Sequence, residues 1–180
     1  MSKDELCDGG STPFVVNSAE NNGIGGYSTL CATEKAGIIT FSDTTDGNTF
    51  FYQPHDFIGF AHVQGMYPID RVWTKNELLF LVSVLSFVCF GRYNYGRKMT
   101  RENILNTYVL LPSDKFNNPD WDCMNSYIQS LHHKCLTTKI NVDNRITLNT
   151  SEWMEFYLHH IFNAGMGNGI DAVMTTCNEP

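Results

Sequence analysis

The apolar positions of this chain change character along its length. Between residues 9 and 70 they form short runs: Pro13-Phe14-Val15-Val16, Gly37-Ile38-Ile39-Thr40-Phe41 and Thr49-Phe50-Phe51-Tyr52. β-Branched and aromatic residues dominate these runs, the mark of half-buried strands. Asn21-Asn22-Gly23, Gly25-Gly26 and Asp46-Gly47-Asn48 punctuate them with turn chemistry. Gly37–Phe41 and Thr49–Tyr52 are expected to pair as a hairpin across Asp46-Gly47. The pattern then becomes continuous. Leu78 to Phe90 is apolar nearly all round, which predicts a helix buried on more than one side. Thr74-Lys75-Asn76-Glu77 opens it as a capping box: the Thr hydroxyl accepts a free backbone N–H and Glu77 reaches back. Gly91 is placed to end it. Tyr108–Leu111 reads as a strand that stops at Pro112.

A second helix is expected from Asn118-Pro119-Asp120, with Asn as cap, Pro in the first turn, and Asp120 and Asp122 at the positive helix end. Trp121, Met124, Ile128, Leu131 and Cys135 follow at steps of 3, 4, 3 and 4, which is heptad spacing. Two heptads fit a helix that pairs with a partner helix, and equally an amphipathic helix lying on its own domain. Residues 137–150 are polar and read as a fraying helix end and a short link. Ser151–Phe162 is apolar-rich again, through Trp153, Phe156, Leu158, Ile161 and Phe162. Gly165-Met166-Gly167-Asn168-Gly169 lacks the Lys-Ser/Thr of a phosphate loop and reads as a flexible turn.

Composition narrows the class. The 180 residues fit one domain or one domain with an appendage. With 42% hydrophobic and 17% charged residues, the chain is not a disordered polar one. The longest apolar run spans about 13 residues and contains Ser83 and Ser86, short of the roughly 20 that a membrane-spanning helix needs. The N-terminus has no apolar signal region. Lys3-Asp4-Glu5-Leu6 spells a retention signal that works only at a C-terminus. Cysteines 7, 31, 89, 123, 135 and 177 contain no C-x-x-C. A reducing, cytoplasmic setting without a zinc ribbon is therefore expected.

The formal net charge of −7 argues against indiscriminate nucleic-acid binding. The charge is unevenly spread, however. Residues 1–70 hold 2 basic and 9 acidic side chains, residues 71–150 hold 10 and 6, and residues 151–180 hold 0 and 4. One basic segment lies between two acidic ones.

Catalytic patterns are missing. No G-x-S-x-G, H-E-x-x-H or calcium-loop pattern occurs, and no Ser or Cys has a paired base. The reading is of a protein that is not an enzyme and needs no cofactor. His132, His133 and Cys135 lie near Cys123 on one expected helix but lack a second ligand pair, so no metal site is expected. The densest chemistry is Gly91-Arg92-Tyr93-Asn94-Tyr95-Gly96-Arg97-Lys98-Met99-Thr100-Arg101. Arg and Lys neutralise phosphates, Arg binds a guanine edge with two hydrogen bonds, and Tyr contacts phosphate, sugar or base. The bland alternative is a solvated basic loop behind a helix.

The order of several motifs carries a resemblance. Asn21-Asn22-Gly23-Ile24-x-Gly26-Tyr27, Phe51-Tyr52-Gln53 with Asp56-Phe57, and a buried helix leading to Tyr93-x-Tyr95-Gly96-Arg97-Lys98 come first. Leu110-Leu111-Pro112 and Pro119-Asp120-Trp121-x-x-Met124-x-x-Tyr127-Ile128-x-x-Leu131 follow. Over roughly residues 9–131 the set resembles the target-recognition domains of DNA specificity subunits of type I restriction–modification systems. The resemblance implies an α+β fold, a mixed β-rich globule with a buried helix and a C-terminal amphipathic spacer-like helix. It implies residues 9–117 as the main part of the recognition domain and 118–139 as the spacer-like helix. Trp121, Met124, Ile128 and Leu131 would then face a partner helix. Glu152-Trp153-x-Glu155-Phe156-x-Leu158-x-x-Ile161-Phe162 and the glycines after it resemble the start of such a domain. Residues 151–180 are accordingly expected to complete the fold, in cis or by exchange with a second chain, as in a circular permutation.

By the same resemblance the chain reads double-stranded DNA without catalysis. The DNA-contact residues would be Arg92, Tyr93, Tyr95, Arg97, Lys98 and Arg101, with Asn21 and Asn22 reaching adenine edges. Expected partners are duplex DNA and methyltransferase subunits, with a possible homodimer through the 118–139 helix or segment exchange, and no membrane. The net acidity keeps two alternatives open: a decoy or anti-restriction factor that binds methyltransferase subunits through its helix, and a fragment with a preserved fold and no activity.

Overall fold

The computed structural model describes residues 8–44, 49–94, 96–132 and 149–166. Among the described residues, nine strands form three sheets and three helices accompany them, an α+β arrangement as expected. Strands β1 (Asp8–Val15), β2 (Ile24–Ser28) and β5 (Ile58–Gly59) make one sheet in the order β2-β1-β5. Strands β3 (Ile38–Ser42), β4 (Phe51–Gln53), β6 (Val63–Pro68) and β9 (Phe162–Met166) make a second, antiparallel throughout, in the order β4-β3-β6-β9. Strands β7 (Tyr108–Pro112) and β8 (Trp153–Tyr157) form an antiparallel ribbon. Helices α1 (Lys75–Cys89), α2 (Arg101–Leu105) and α3 (Trp121–His132) pack around these sheets.

The expected hairpin is present, with Ile38 opposite Gln53 and Thr40 opposite Phe51. The turn residues Asp46-Gly47 lie outside the described residues. The capping box is also in place. Thr74 Oγ1 accepts from the Glu77 amide at 3.3 Å, and Glu77 accepts from the Thr74 amide at 2.7 Å. Arg71 donates to the second Glu77 oxygen at 2.8 Å, so this almost fully buried carboxylate is charge-paired.

Leu78, Leu81, Leu85 and Cys89 form one buried stripe on α1, spaced for a single helix face. They belong to one core with Ile39, Phe41 and Met66 of the second sheet and Val109 and Leu111 of the ribbon. The other side of α1 departs from expectation: Phe87 is 85% exposed and Val84 and Val88 are only half-buried. Phe80, on that same side, is 4% exposed and packs on Tyr127 and Trp153, so the helix is covered on two sides in its first half and open on one side toward its C-terminal end.

Helix α3 starts later than expected. Asp120 acts as the cap, its Oδ1 accepting from the Cys123 amide at 2.9 Å. Asn118 and Pro119 belong to the preceding loop, where Asp114 Oδ1 accepts from the Phe116 and Asn118 amides, both at 2.8 Å. The heptad positions resolve toward the helix lying on its own domain. Met124 is fully buried and Ile128 is 8% exposed. Trp121 packs on Trp73 with ring centroids 4.4 Å apart. Of the expected partner-helix residues only Leu131, 44% exposed, is open. Cys135 and residues 137–148 lie outside the described residues.

The tail also differs from expectation. Gly165 and Met166 lie in β9 rather than in a turn, with Gly165 opposite Gly65 of β6. The glycines are there because the Tyr67 ring fills their space. A Cβ on Gly65 would stand 2.8 Å from that ring and one on Gly165 3.0 Å from it. Strand β8 closes on β7, and Phe162 packs on Trp73 at 4.6 Å. Among the described cysteines, Cys89 and Cys123 are free and Cys31 is disulfide-bonded, a pairing that the cysteine spacing did not foresee.

Candidate nucleic-acid interface

The basic loop begins where α1 ends. Gly91 takes a left-handed φ of +70°, with nothing near the position a Cβ would occupy. It turns the chain off the helix without strain. Asn94 and Arg97 then close a tight turn. Their backbones exchange hydrogen bonds of 3.1 and 3.0 Å, and the Asn94 side chain accepts from the Gly96 and Arg97 amides at 2.9 and 3.0 Å. An Asn side chain standing in for a backbone carbonyl is the usual reason for Asn in such turns. Tyr95 lies outside the described residues.

Two anchors fix this turn to the domain. Met99 is fully buried. Tyr93 is 4% exposed, its hydroxyl 2.9 Å from Thr107 Oγ1 and 3.2 Å from the Asn103 carbonyl. Tyr93, one of the residues expected at the DNA contact, thus has its ring buried and its hydroxyl bonded within the protein. What Tyr93 offers is a platform, since the Arg97 guanidinium lies 5.8 Å from its ring centroid. Lys98 is exposed beside Arg97, and its carbonyl accepts from Asn103 Nδ2 at 3.0 Å. Thr100 caps α2, accepting from the Asn103 amide at 3.2 Å, and Arg101 is exposed in the first turn of α2. The turn thus holds Arg97, Lys98 and Arg101 at the surface on a buried footing. Arg92 is turned elsewhere: its guanidinium lies 5.9 Å from the Tyr108 ring, against the β7–β8 ribbon.

Asn21 and Asn22 are not brought to this loop. Both adopt left-handed conformations, φ 50° and 55°, which Asn tolerates better than most residues. Asn22 Nδ2 donates to the Tyr52 carbonyl at 3.0 Å, and Gln53 Nε2 donates to the Asn22 carbonyl at 3.2 Å. That amide stitches the loop to β4. Asn21 is exposed and donates to the Ile24 carbonyl at 3.1 Å. Asn22 lines a cleft of about 290 Å³ with Tyr52, Lys75 and Leu79, beside the N-terminal half of α1. The basic loop leaves the other end of this 15-residue helix, about 22 Å away at 1.5 Å per residue. Sequence reasoning missed Asn94 and Met99, the residues that shape and anchor the loop. Asn94-Tyr95-Gly96 was the turn signal that could have found the first.

Other chemistry is quiet. Burial pushes the Cys89 thiol up to about 12, with Arg92 pulling weakly the other way. It is therefore no thiolate nucleophile at neutral pH. Among the described residues no group of three or more His, Cys, Asp or Glu is placed to hold a metal ion. Nor is any helix there long and apolar enough to cross a membrane. His133 and Cys135 lie outside the described residues.

Comparison with known proteins adds a family. The family described as the type I restriction modification DNA specificity domain matches residues 1–141. The chain is also similar to the specificity subunit S.BcgI of the type II restriction enzyme BgcI from Heyndrickxia coagulans. The two are 25% identical over 165 residues, which takes in 87% of this chain and 47% of that protein. The chain thus spans about half the length of the curated relative it matches. No solved structure matches it.

Proposed function

The chain belongs to the type I restriction–modification DNA specificity domain family, and from that premise we propose that it reads double-stranded DNA and carries out no chemistry itself. The observation that carries the reading is the turn of residues 94–97: Arg97 and Lys98 are held outward by an Asx-type turn and by Tyr93 and Met99 beneath it. A cation on a rigid base loses less entropy when it meets a phosphate or a base edge. Arg101 flanks the pair. Asn21 remains a candidate for base contact, whereas Asn22 serves as its support. Methyl transfer and cleavage fall to methyltransferase and nuclease subunits, which this chain would direct to a sequence. The pairing of β8 and β9 with β7 and β6 supports the further reading that residues 151–180 complete the recognition domain within the same chain.

The test is binding to duplex DNA over a salt series. The expected result is an affinity that falls linearly on a log–log plot of salt, because bound counterions are released. Arg97→Ala is expected to weaken binding by about 1–3 kcal/mol and relax sequence preference where it meets a base. Lys98→Ala is expected to weaken binding uniformly and lower the salt slope by about 1. Salt-independent, negligible duplex binding by a chain that still captures methyltransferase subunits would select the decoy reading instead.

A further inference from the structure

The end of the β7–β8 ribbon carries an exposed aromatic cluster that no motif of the sequence marked. Tyr108 and Tyr157 stand directly opposite each other in the ribbon register, edge to face, with ring centroids 6.2 Å apart. They are 43% and 47% exposed, while their neighbours Val109 and Phe156 point to the other face and pack into the core. The His159 ring stacks on Tyr157 at 5.3 Å, and its Nδ1 donates to the Leu105 carbonyl at 3.1 Å. His160 packs on both, 4.3 Å from His159 and 6.0 Å from Tyr157. The two imidazoles therefore brace the Tyr157 ring. Unlike that of Tyr93, the hydroxyls of Tyr108 and Tyr157 have no hydrogen-bond partner among the described residues. Arg92, laid over Tyr108 at 5.9 Å, has no ion-pair partner among them either.

We propose that Arg92, Tyr108 and Tyr157 form a strip that holds the sugar–phosphate backbone of the duplex beside the stretch met by the Arg97–Lys98 turn. The proposal rests on the DNA reading and adds three contacts that position the domain without reading sequence. Two observations select this occupant. First, the strip is continuous with the basic loop, and Thr107 is the joint. Its Oγ1 is 2.9 Å from the Tyr93 hydroxyl, its carbonyl accepts from the Leu158 amide at 3.0 Å, and it directly precedes Tyr108. Second, the chemistry is that of a phosphate contact. One guanidinium and two phenol hydroxyls offer unspent donors, and Arg and Tyr are regular donors to phosphate oxygens. None of the three is held in a closed turn of the kind that fixes Arg97. Glu155, exposed two residues before Tyr157 on the same face of β8, repels phosphate and marks where the strip ends.

The experiment measures binding of the full chain to one duplex sequence over a salt series, with far-UV circular dichroism and a thermal melt on each variant. Arg92→Gln is expected to weaken binding about tenfold and to lower the salt slope by about 1. The Tyr108→Phe, Tyr157→Phe double variant keeps both rings, and is expected to weaken binding about fivefold with the slope unchanged. Selection from a randomised pool is expected to return the wild-type sequence preference with both variants. A duplex carrying a single neutral methylphosphonate at the contacted position is expected to bind wild type more weakly and Arg92→Gln no more weakly than the unmodified duplex. Wild-type affinity in both variants, with Arg97→Ala still weakened, overturns this proposal and leaves the DNA reading standing. An altered sequence preference in either variant overturns it as well, by making the strip a base reader. A wild type that binds no duplex overturns both.

Discussion

Tyr67 shows how much one residue carries. Its ring occupies the space that Gly65 and Gly165 leave open, and its hydroxyl donates to the nearly buried Glu34 at 2.8 Å. Burial, then the hydrogen bond and charge of Glu34, hold the phenol well above the usual tyrosine range. The folded state therefore prefers the neutral phenol. This contribution is fully present below the unfolded value, about 10, and is lost as pH rises through the higher folded one. Tyr67→Phe is expected to cost about 1–3 kcal/mol at neutral pH, by removing a donor from a buried carboxylate. It is also expected to flatten the alkaline limb of stability, which urea midpoints at neutral and alkaline pH would read. Residues of this kind were poorly legible in the sequence. Asn22 has the right amide to read adenine, but its partner is the Tyr52 carbonyl, 30 positions away. Tyr93 sits amid cations yet spends its hydroxyl on Thr107. Residue type tells what a group can bond, and the fold decides with whom.

At the scale of elements, local signals were sound and distant ones were not. The capping box of α1 and the β3–β4 hairpin depend on neighbours in sequence, and both could be read directly. The heptad spacing of α3 named an apolar face without saying what meets it. The structure answers that α1, Trp73 and the core do. Met124→Ala is accordingly expected to destabilise the domain by about 2–5 kcal/mol, as a core truncation. Leu131→Ala is expected to stay within about 0.5 kcal/mol. Paired chemical denaturation curves check both, and equal, small losses would mean that α3 is not seated on α1. The glycine-rich stretch near residue 165 was misread because glycines signal turns when no partner is in view. Here they accommodate Tyr67 of a strand about 100 positions earlier. The open side of α1 was hidden for a related reason: an all-round apolar pattern does not distinguish a covered side from an exposed one.

For the whole molecule, the net charge of −7 acts as a filter. The basic residues concentrate in 71–150, and the acidic segments before and after it meet through β6 and β9. On the proposed reading, such a distribution would leave weak attraction to DNA in general and confine contact to the face that carries the Arg97–Lys98 turn. It suits a module that must disregard most sequences it meets. Family membership was legible in the order of short motifs, and the loop geometry behind those motifs was not. The direct test is selection of bound duplexes from a randomised pool by the full chain at low salt. The expected result is enrichment of one defined sequence, lost in the Arg97→Ala, Lys98→Ala double variant while that variant keeps its fold. A pool that emerges without enrichment, or an identical enrichment by the double variant, would contradict it.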